Sequence, residues 1–369
     1  MRTALARIVA VVSAVLLPAC GPTQPTSRNA TVTVTGTPAS IGDGWPLSDA
    51  ASEGLDTARI AALSSSIAAG QYGQVDGLVI ARNGRLCFDG YYRGTAFDLH
   101  EMQSVTKSVT SALIGAAIAR GAIPGLDAPV ISLLPEFAAA AESDPAKGRI
   151  HVQHLLTMSS GLDWDEMSFP NGDPRNTLTQ MNTSADWVGY VVSRRAVEVP
   201  GLRFVYNSGG TILLGAILRA TTGQDVVAFA NDALFAPLGI RTQTWTRNQS
   251  HPDQVHTGGG LALRPRDAAK IGLLYLDEGV WEGRQVLPAA WVRDSLQPHL
   301  AATDGAQYGF NWWVRTATGG VNIGEAWGAR GQHVFVVPAR RLVVVVTARD
   351  ERIDAGRQIL DVVIDAASR

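Results

Sequence analysis

The period of the apolar positions changes along the chain, and each change predicts a different element. Residues 55–70, LDTARIAALSSSIAAG, carry apolar positions at helical spacing and stop at Gly70, which predicts an amphipathic helix. VDGLVIARNGRLCFDGYYRG follows as two apolar runs around Arg82-Asn83-Gly84, a strong β-hairpin signal. From about residue 100 to 300 the pattern is mainly helical, over 104–120, 151–158, 185–193, 208–221, 224–234, 265–277 and 288–296, with long irregular connections. Strand patterns return in YGFNWWVR (308–315), HVFVVP (333–338) and RLVVVVTAR (341–349), with Pro338 to Arg341 as the turn between the last two. An amphipathic helix, DAGRQILDVVIDAAS (354–368), closes the chain. The expectation is an α+β fold. One antiparallel sheet, built from the two ends of the chain, carries the N- and C-terminal helices, and a large helical lobe (about 100–300) is inserted between them. The groove between the lobes is the default place for a site.

The first residues follow a different rule. Arg2 and Arg7 precede the apolar run IVAVVSAVLL (8–17), too short to span a bilayer, and then comes Leu17-Pro18-Ala19-Cys20. This reads as a signal peptide over 1–19. The Leu-x-Ala-Cys ending resembles the lipobox of bacterial lipoproteins, which implies lipidation at Cys20. The alternative is a plain secreted protein with an incidental cysteine. Residues 20–44, rich in Thr, Pro, Gly and Ser, are then a lipid-bearing flexible tether, and 45–369 the folded domain. The expected location is extracytoplasmic, with the membrane as a partner through the acyl chains.

Composition narrows the classes further. The 369 residues are 46% hydrophobic and 17% charged with a net charge of −2, enough chain for a large core and no basic surplus for nucleic acid. Cys87, in an apolar run, is read as a small buried residue with no disulfide or metal pattern. His151 and His154 have helical metal-ligand spacing but no accompanying cluster, so no metal is expected.

Lysine occurs only at 107, 147 and 270, which makes each one informative. Ser104 and Lys107 stand at i and i+3, at the start of a predicted helix with an apolar continuation, SALIGAAIARG. A serine hydroxyl is a poor nucleophile until a base takes its proton. Lowering a lysine from about 10.4 to about 7 costs about 4.6 kcal/mol. A helix dipole rarely supplies more than about 2 kcal/mol, so desolvation or a second proton carrier must contribute. The alternative is an N-cap serine with a solvated first-turn lysine. Tyr206, before Asn207-Ser208 and a second helix, is a candidate shuttle: beside a cationic Lys107 its phenol would ionise more readily. Its alternative is a half-buried aromatic, and that of Ser208 a helix cap. Gly328 and Gly331 precede an apolar strand, where a backbone N–H could join that of Ser104 as an oxyanion hole; a bulge or turn is the alternative.

Ser104-Val-Thr-Lys107, Tyr206-Asn-Ser208 and Ala326-Trp327-Gly328, in this order, resemble the three motifs of the serine β-lactamase-like family. That family includes class C β-lactamases, D-Ala-D-Ala carboxypeptidases, esterases and 6-aminohexanoate-dimer hydrolases. HLLTMSSGLDW (154–164), LFAPLGI (234–240) and GGGLALRPRDAAKIGLLYLDEG (258–279) extend the likeness over about 45–369. The resemblance implies Ser104 as acylated nucleophile, Lys107 as its assistant, Tyr206 as general base and then acid, and Ser208 positioning Lys107 or the substrate. It also implies Ala329, after Gly328, as the second oxyanion donor. Ala326 and Trp327 replace a lysine and a threonine that β-lactamases use toward a substrate carboxylate; Arg330 or His333 could substitute for that charge. The pattern Ala-x-Gly-x-x-Gly-Gln (326–332) is closer to the 6-aminohexanoate-dimer hydrolases. The implied activity is hydrolysis of ester or amide bonds in small molecules or short peptides through an acyl-enzyme, without cofactor. The alternatives are a β-lactamase or D-Ala-D-Ala carboxypeptidase, and an acylatable sensor without turnover.

Overall fold

A computed structural model describes residues 31–32, 36–350 and 354–367. The expected signal peptide, Cys20 and most of the expected tether lie outside the described residues. In the hairpin, strands β1 (Val75–Arg82) and β2 (Arg85–Tyr91) turn at Asn83-Gly84, both at positive φ (53° and 81°). Asn-Gly tolerates that conformation, and the resulting turn matches the strand twist. Four strands near the C-terminus complete the centre of the sheet: β3 (Trp313–Ala317), β4 (Val321–Gly328), β5 (Gln332–Val337) and β6 (Leu342–Ala348). The order is Thr31–Val32, β2, β1, β6, β5, β4, β3, Gln307–Tyr308, Leu300–Ala301, with every neighbouring pair antiparallel. The two ends of the chain meet where β6 pairs with β1.

Helices cover both faces, which is why every residue of β6 is buried. Helix α1 (Thr57–Ala68), capped by Asp56, packs with the C-terminal helix α5 (Asp354–Ala366) on Leu78, Ile80, Phe335 and Val344. The opposite face, with Val79, Val334, Val343 and Val345, meets α2 (Val105–Ala119) and α4 (Pro265–Leu276). Helix α2 is buried nearly all round, so it runs through the core rather than over it. Helix α3 (Ser208–Thr222) packs beside it. Segment 256–260 bridges the two: Thr110 donates to the Thr257 carbonyl (2.8 Å), and Thr257 to that of Thr211 (2.7 Å).

The boundaries differ from expectation in three places. The 308–315 run is broken by a turn with Asn311 at φ 58°, so the long strand there is β3. Strand β4 was not predicted, because VNIGEAWG mixes a glutamate and two glycines into its apolar positions. The 224–234 helix is a short α-helical turn, Val226–Ala230, that widens into a π-helical one, Asn231–Phe235.

Candidate active site

Ser104 stands at the N-cap position of α2, yet its hydroxyl caps nothing. Gln103 before it is held at φ 50°, which turns the chain sharply into the helix. The Lys107 Nζ donates to Ser104 Oγ at 2.8 Å and to the Gly258 carbonyl at 2.6 Å. Lys107 is only 1% exposed, so the solvated-lysine alternative fails. Burial pulls its ammonium down to about 8, with the negative charge of Glu166 opposing the fall. Desolvation therefore supplies most of what the helix dipole could not. The other two lysines are structural: Lys147 Nζ donates to the Val192 carbonyl (2.8 Å), and Lys270 Nζ to those of Asp43 (2.5 Å) and Leu238 (2.8 Å).

Tyr206 ends the extended run before α3. Its ring stacks on Trp313 (centroids 5.8 Å, 22°), and Lys107 Nζ lies 4.9 Å from its centre. Burial, and then the charge of Glu166, raise its phenol well above the ordinary tyrosine value, while a hydrogen bond with Ser104 works the other way. Burial thus disfavours the charged forms of both groups, opposing a Tyr206 phenolate and favouring the free-base form of Lys107.

Ser208 does not reach Lys107 by a hydrogen bond. Its hydroxyl donates to Glu166 Oε1 (2.8 Å) and its N–H to Oε2 (2.9 Å). The cap of α3 is Asn207, whose side-chain oxygen accepts from the Gly210 N–H (2.9 Å). Trp164 Nε1 adds a third donor to Glu166 at 2.7 Å. Glu166 belongs to none of the three sequence motifs. Its neighbours Asp163 and Asp165 are loop structure: Asp163 pairs with Arg194 (2.9 Å), and Asp165 accepts from the Met167 (3.2 Å) and Ser168 (3.0 Å) amides. Nothing in its spacing marks Glu166, since its serine partner is 42 residues away.

Strand β4 delivers the third motif. A Cβ at Gly328 would stand 2.4 Å from the Met102 carbonyl oxygen and 3.0 Å from the Ser104 nitrogen, so only glycine lets the strand end lie against the serine turn. That contact brings Ala329 into the same cleft as Ser104. The cleft, of about 180 Å³, is lined by the polar residues Ser104, Tyr206, Glu166 and Asn171, by Ala329, and by the apolar Met167, Leu178, Trp313 and Trp327. Ala326 is buried. Neither proposed replacement cation enters: His333 is buried against Glu325 (2.9 Å), and Arg330 lines a separate cleft with Asp76 and His100. Trp312 is core, packed on Tyr275.

Among the described residues no group of His, Cys, Asp and Glu is placed to hold a metal ion. His151 and His154 stack on each other, with the His151 N–H donating to His154 Nδ1 (3.0 Å). Cys87 is buried and its thiol is pushed up to about 12 by desolvation.

A mixed sheet-and-helix fold with a serine hydroxyl on a buried lysine defines a serine hydrolase architecture. The chain belongs to the beta-lactamase family, whose model matches residues 68–368. It is 26% identical over 293 residues to a 6-aminohexanoate-dimer hydrolase of Paenarthrobacter ureafaciens, covering 73% of this chain and 71% of that one. It is 31% identical over 194 residues to esterase EstB of Burkholderia gladioli, spanning 47% of this chain and 46% of the esterase. Among solved structures it shares the fold of EstCE1, a hydrolase with promiscuous acyltransferase activity, with a TM-score of 0.66 at 19% identity over 83% of this chain and 97% of that chain. An octameric penicillin-binding protein homologue from Pyrococcus abyssi gives a TM-score of 0.66 at 18% identity, over 83% and 77% of the two chains. The protein is thus a beta-lactamase-family serine hydrolase.

Proposed function

We propose that this hydrolase cleaves ester or amide bonds of small molecules or short peptides through an acyl-enzyme on Ser104. The observation that carries the reading is the 2.8 Å contact between the buried Lys107 Nζ and a Ser104 hydroxyl that serves no cap. Neutral Lys107 takes the Ser104 proton as Oγ attacks the carbonyl carbon. The Ser104 and Ala329 amides receive the oxyanion. Protonated Tyr206 gives its proton to the leaving oxygen or nitrogen as the bond breaks, and regains one from the Lys107 ammonium. Water then attacks the acyl carbon by the same route reversed, which releases the acid and restores Ser104.

Relatives named as 6-aminohexanoate-dimer hydrolase and esterase support this bond class. A dedicated β-lactamase or D-Ala-D-Ala carboxypeptidase fits less well, because Ala326 stands at the third-motif position where a cation would meet a substrate carboxylate. The test is a panel of p-nitrophenyl esters, an amide dimer and a chromogenic cephalosporin, run beside Ser104→Ala. Short esters should turn over, and the variant should lose about 10³-fold or more. A variant that keeps its rate removes Ser104 from the chemistry. A single stoichiometric burst without steady state means a trap, and rapid cephalosporin turnover beyond the esters means a β-lactamase.

A further inference from the structure

Glu166 is a carboxylate on the wall of the Ser104 cleft, 8% exposed. Its three partners, the Ser208 hydroxyl, the Ser208 amide and the Trp164 indole, are all neutral. They orient the group and stabilise its charge without cancelling it. The Ser208 amide belongs to the first turn of α3, whose dipole also favours the anion. Among the described residues no Lys, Arg or His nitrogen lies within 4.0 Å of it. Lys107 is the nearby cation, but its ammonium is directed to Ser104 and Gly258. In the form that reacts, Lys107 is neutral, so Glu166 is then the one charged group among the described residues that line the cleft. Its negative potential is felt by both Lys107 and Tyr206. The third-motif position is a buried alanine followed by Trp327, which lines the same cleft, and Arg330 and His333 face elsewhere. A substrate therefore meets an uncompensated negative charge between aromatic walls, in a partly dry site where charge interactions are strong.

We infer that Glu166 is a specificity-determining residue that selects acyl substrates carrying an ammonium group and rejects those carrying a carboxylate. The inference rests on the reading of Ser104 as the nucleophile. Trp313 and Trp327 favour the same choice, since aromatic faces attract desolvated cations. An incoming cation also lowers the proton affinity of Lys107, which enlarges the reactive free-base fraction. If Glu166 were only an anchor for the first turn of α3, substrate charge would not matter.

The test compares three p-nitrophenyl esters of matched length. One is 4-(trimethylammonio)butyrate, one its neutral carbon isostere 5,5-dimethylhexanoate, and one the glutarate half-ester, corrected for its uncatalysed hydrolysis. The whole protein should favour the cationic over the neutral ester by about tenfold or more in kcat/KM, and disfavour the anionic one by a similar factor. Glu166→Gln can still accept from Trp164 and the Ser208 amide while its own amide donates to the Ser208 hydroxyl. It should bring the three esters within about threefold of one another, with the change mainly in KM. Glu166→Asp should keep the order of preference. Equal rates with wild-type protein overturn the inference whether or not the variants fold, and so does charge discrimination that survives in folded Glu166→Gln. Ser104→Ala, run in parallel, separates the two claims. Loss of activity in that variant together with a flat charge preference sinks only the role of Glu166, whereas retained activity sinks the nucleophile.

Discussion

Replacing Gly328 by alanine adds one methyl group at the contact between β4 and the serine turn, and it should cost most of the turnover. The new Cβ would fall 2.4 Å from the Met102 carbonyl oxygen, 2.9 Å from the Gln103 Cβ and 3.0 Å from the Ser104 nitrogen. Two of these three atoms are backbone, so no side-chain rotation relieves the contact. Because Cβ contacts below 3.0 Å essentially do not occur, β4 and the serine turn must separate by at least about 0.6 Å. The Ser104 nitrogen is itself one of the crowded atoms and Ala329 follows Gly328 directly, so the two amides of the proposed oxyanion hole belong to the segments that must part. Losing one oxyanion donor costs about 10²–10³ in kcat, and a misplacement of about 1 Å can cost about 10². We therefore expect kcat on a short p-nitrophenyl ester to fall about 10²-fold, with KM changed much less. Stopped-flow release of p-nitrophenolate would place the loss in acylation, and circular dichroism with a thermal melt would show that the sheet survives. Ala329→Gly, which keeps the amide, should stay within about threefold of wild type. A folded Gly328→Ala protein with wild-type kcat would refute the idea that this glycine sets the oxyanion geometry.

Two further outcomes follow from the electrostatics. On a neutral ester, kcat/KM should rise with pH and inflect near 8, because the free-base form of Lys107 is the reactive one and its pKa is depressed to about 8. An inflection near the ordinary lysine value would contradict its desolvation, and in Glu166→Gln the inflection should move to lower pH, since the charge that opposes the fall is gone. Cys87, buried with its thiol pushed up to about 12, should resist thiol reagents in the native protein and react once denaturant is added; peptide mass mapping would check it.

The chain's own patterns were enough for the α+β class, the Asn-Gly hairpin, most helices and the Ser104, Lys107 and Tyr206 candidates. These are local: a helical or alternating period, a turn pair that accepts positive φ, and an i, i+3 spacing that shares a helix face. The rest depends on groups distant in sequence. Whether Lys107 is solvated or dry is set by the Gly258 segment and by the packing of α2 in the core, 151 residues apart in the case of its carbonyl partner. The proposed assignment of Lys107 as base and Tyr206 as acid rests on that burial, which acts in opposite directions on the pKa of an ammonium and of a phenol. Ser208 was legible as a polar motif position, but its partner Glu166 was not, because a hydrogen bond across a loop leaves no period. Strand β4 was hidden by its glutamate and glycines, and both have tertiary reasons: Glu325 is the buried partner of His333 and Arg315, and Gly328 admits the serine turn. Sequence periodicity thus determined which segments become helices and strands and which residues could do chemistry. Only the tertiary structure decided which of them lose their water and which charge remains unpaired in the cleft, because desolvation and long-range contact depend on distances that spacing along a chain does not encode.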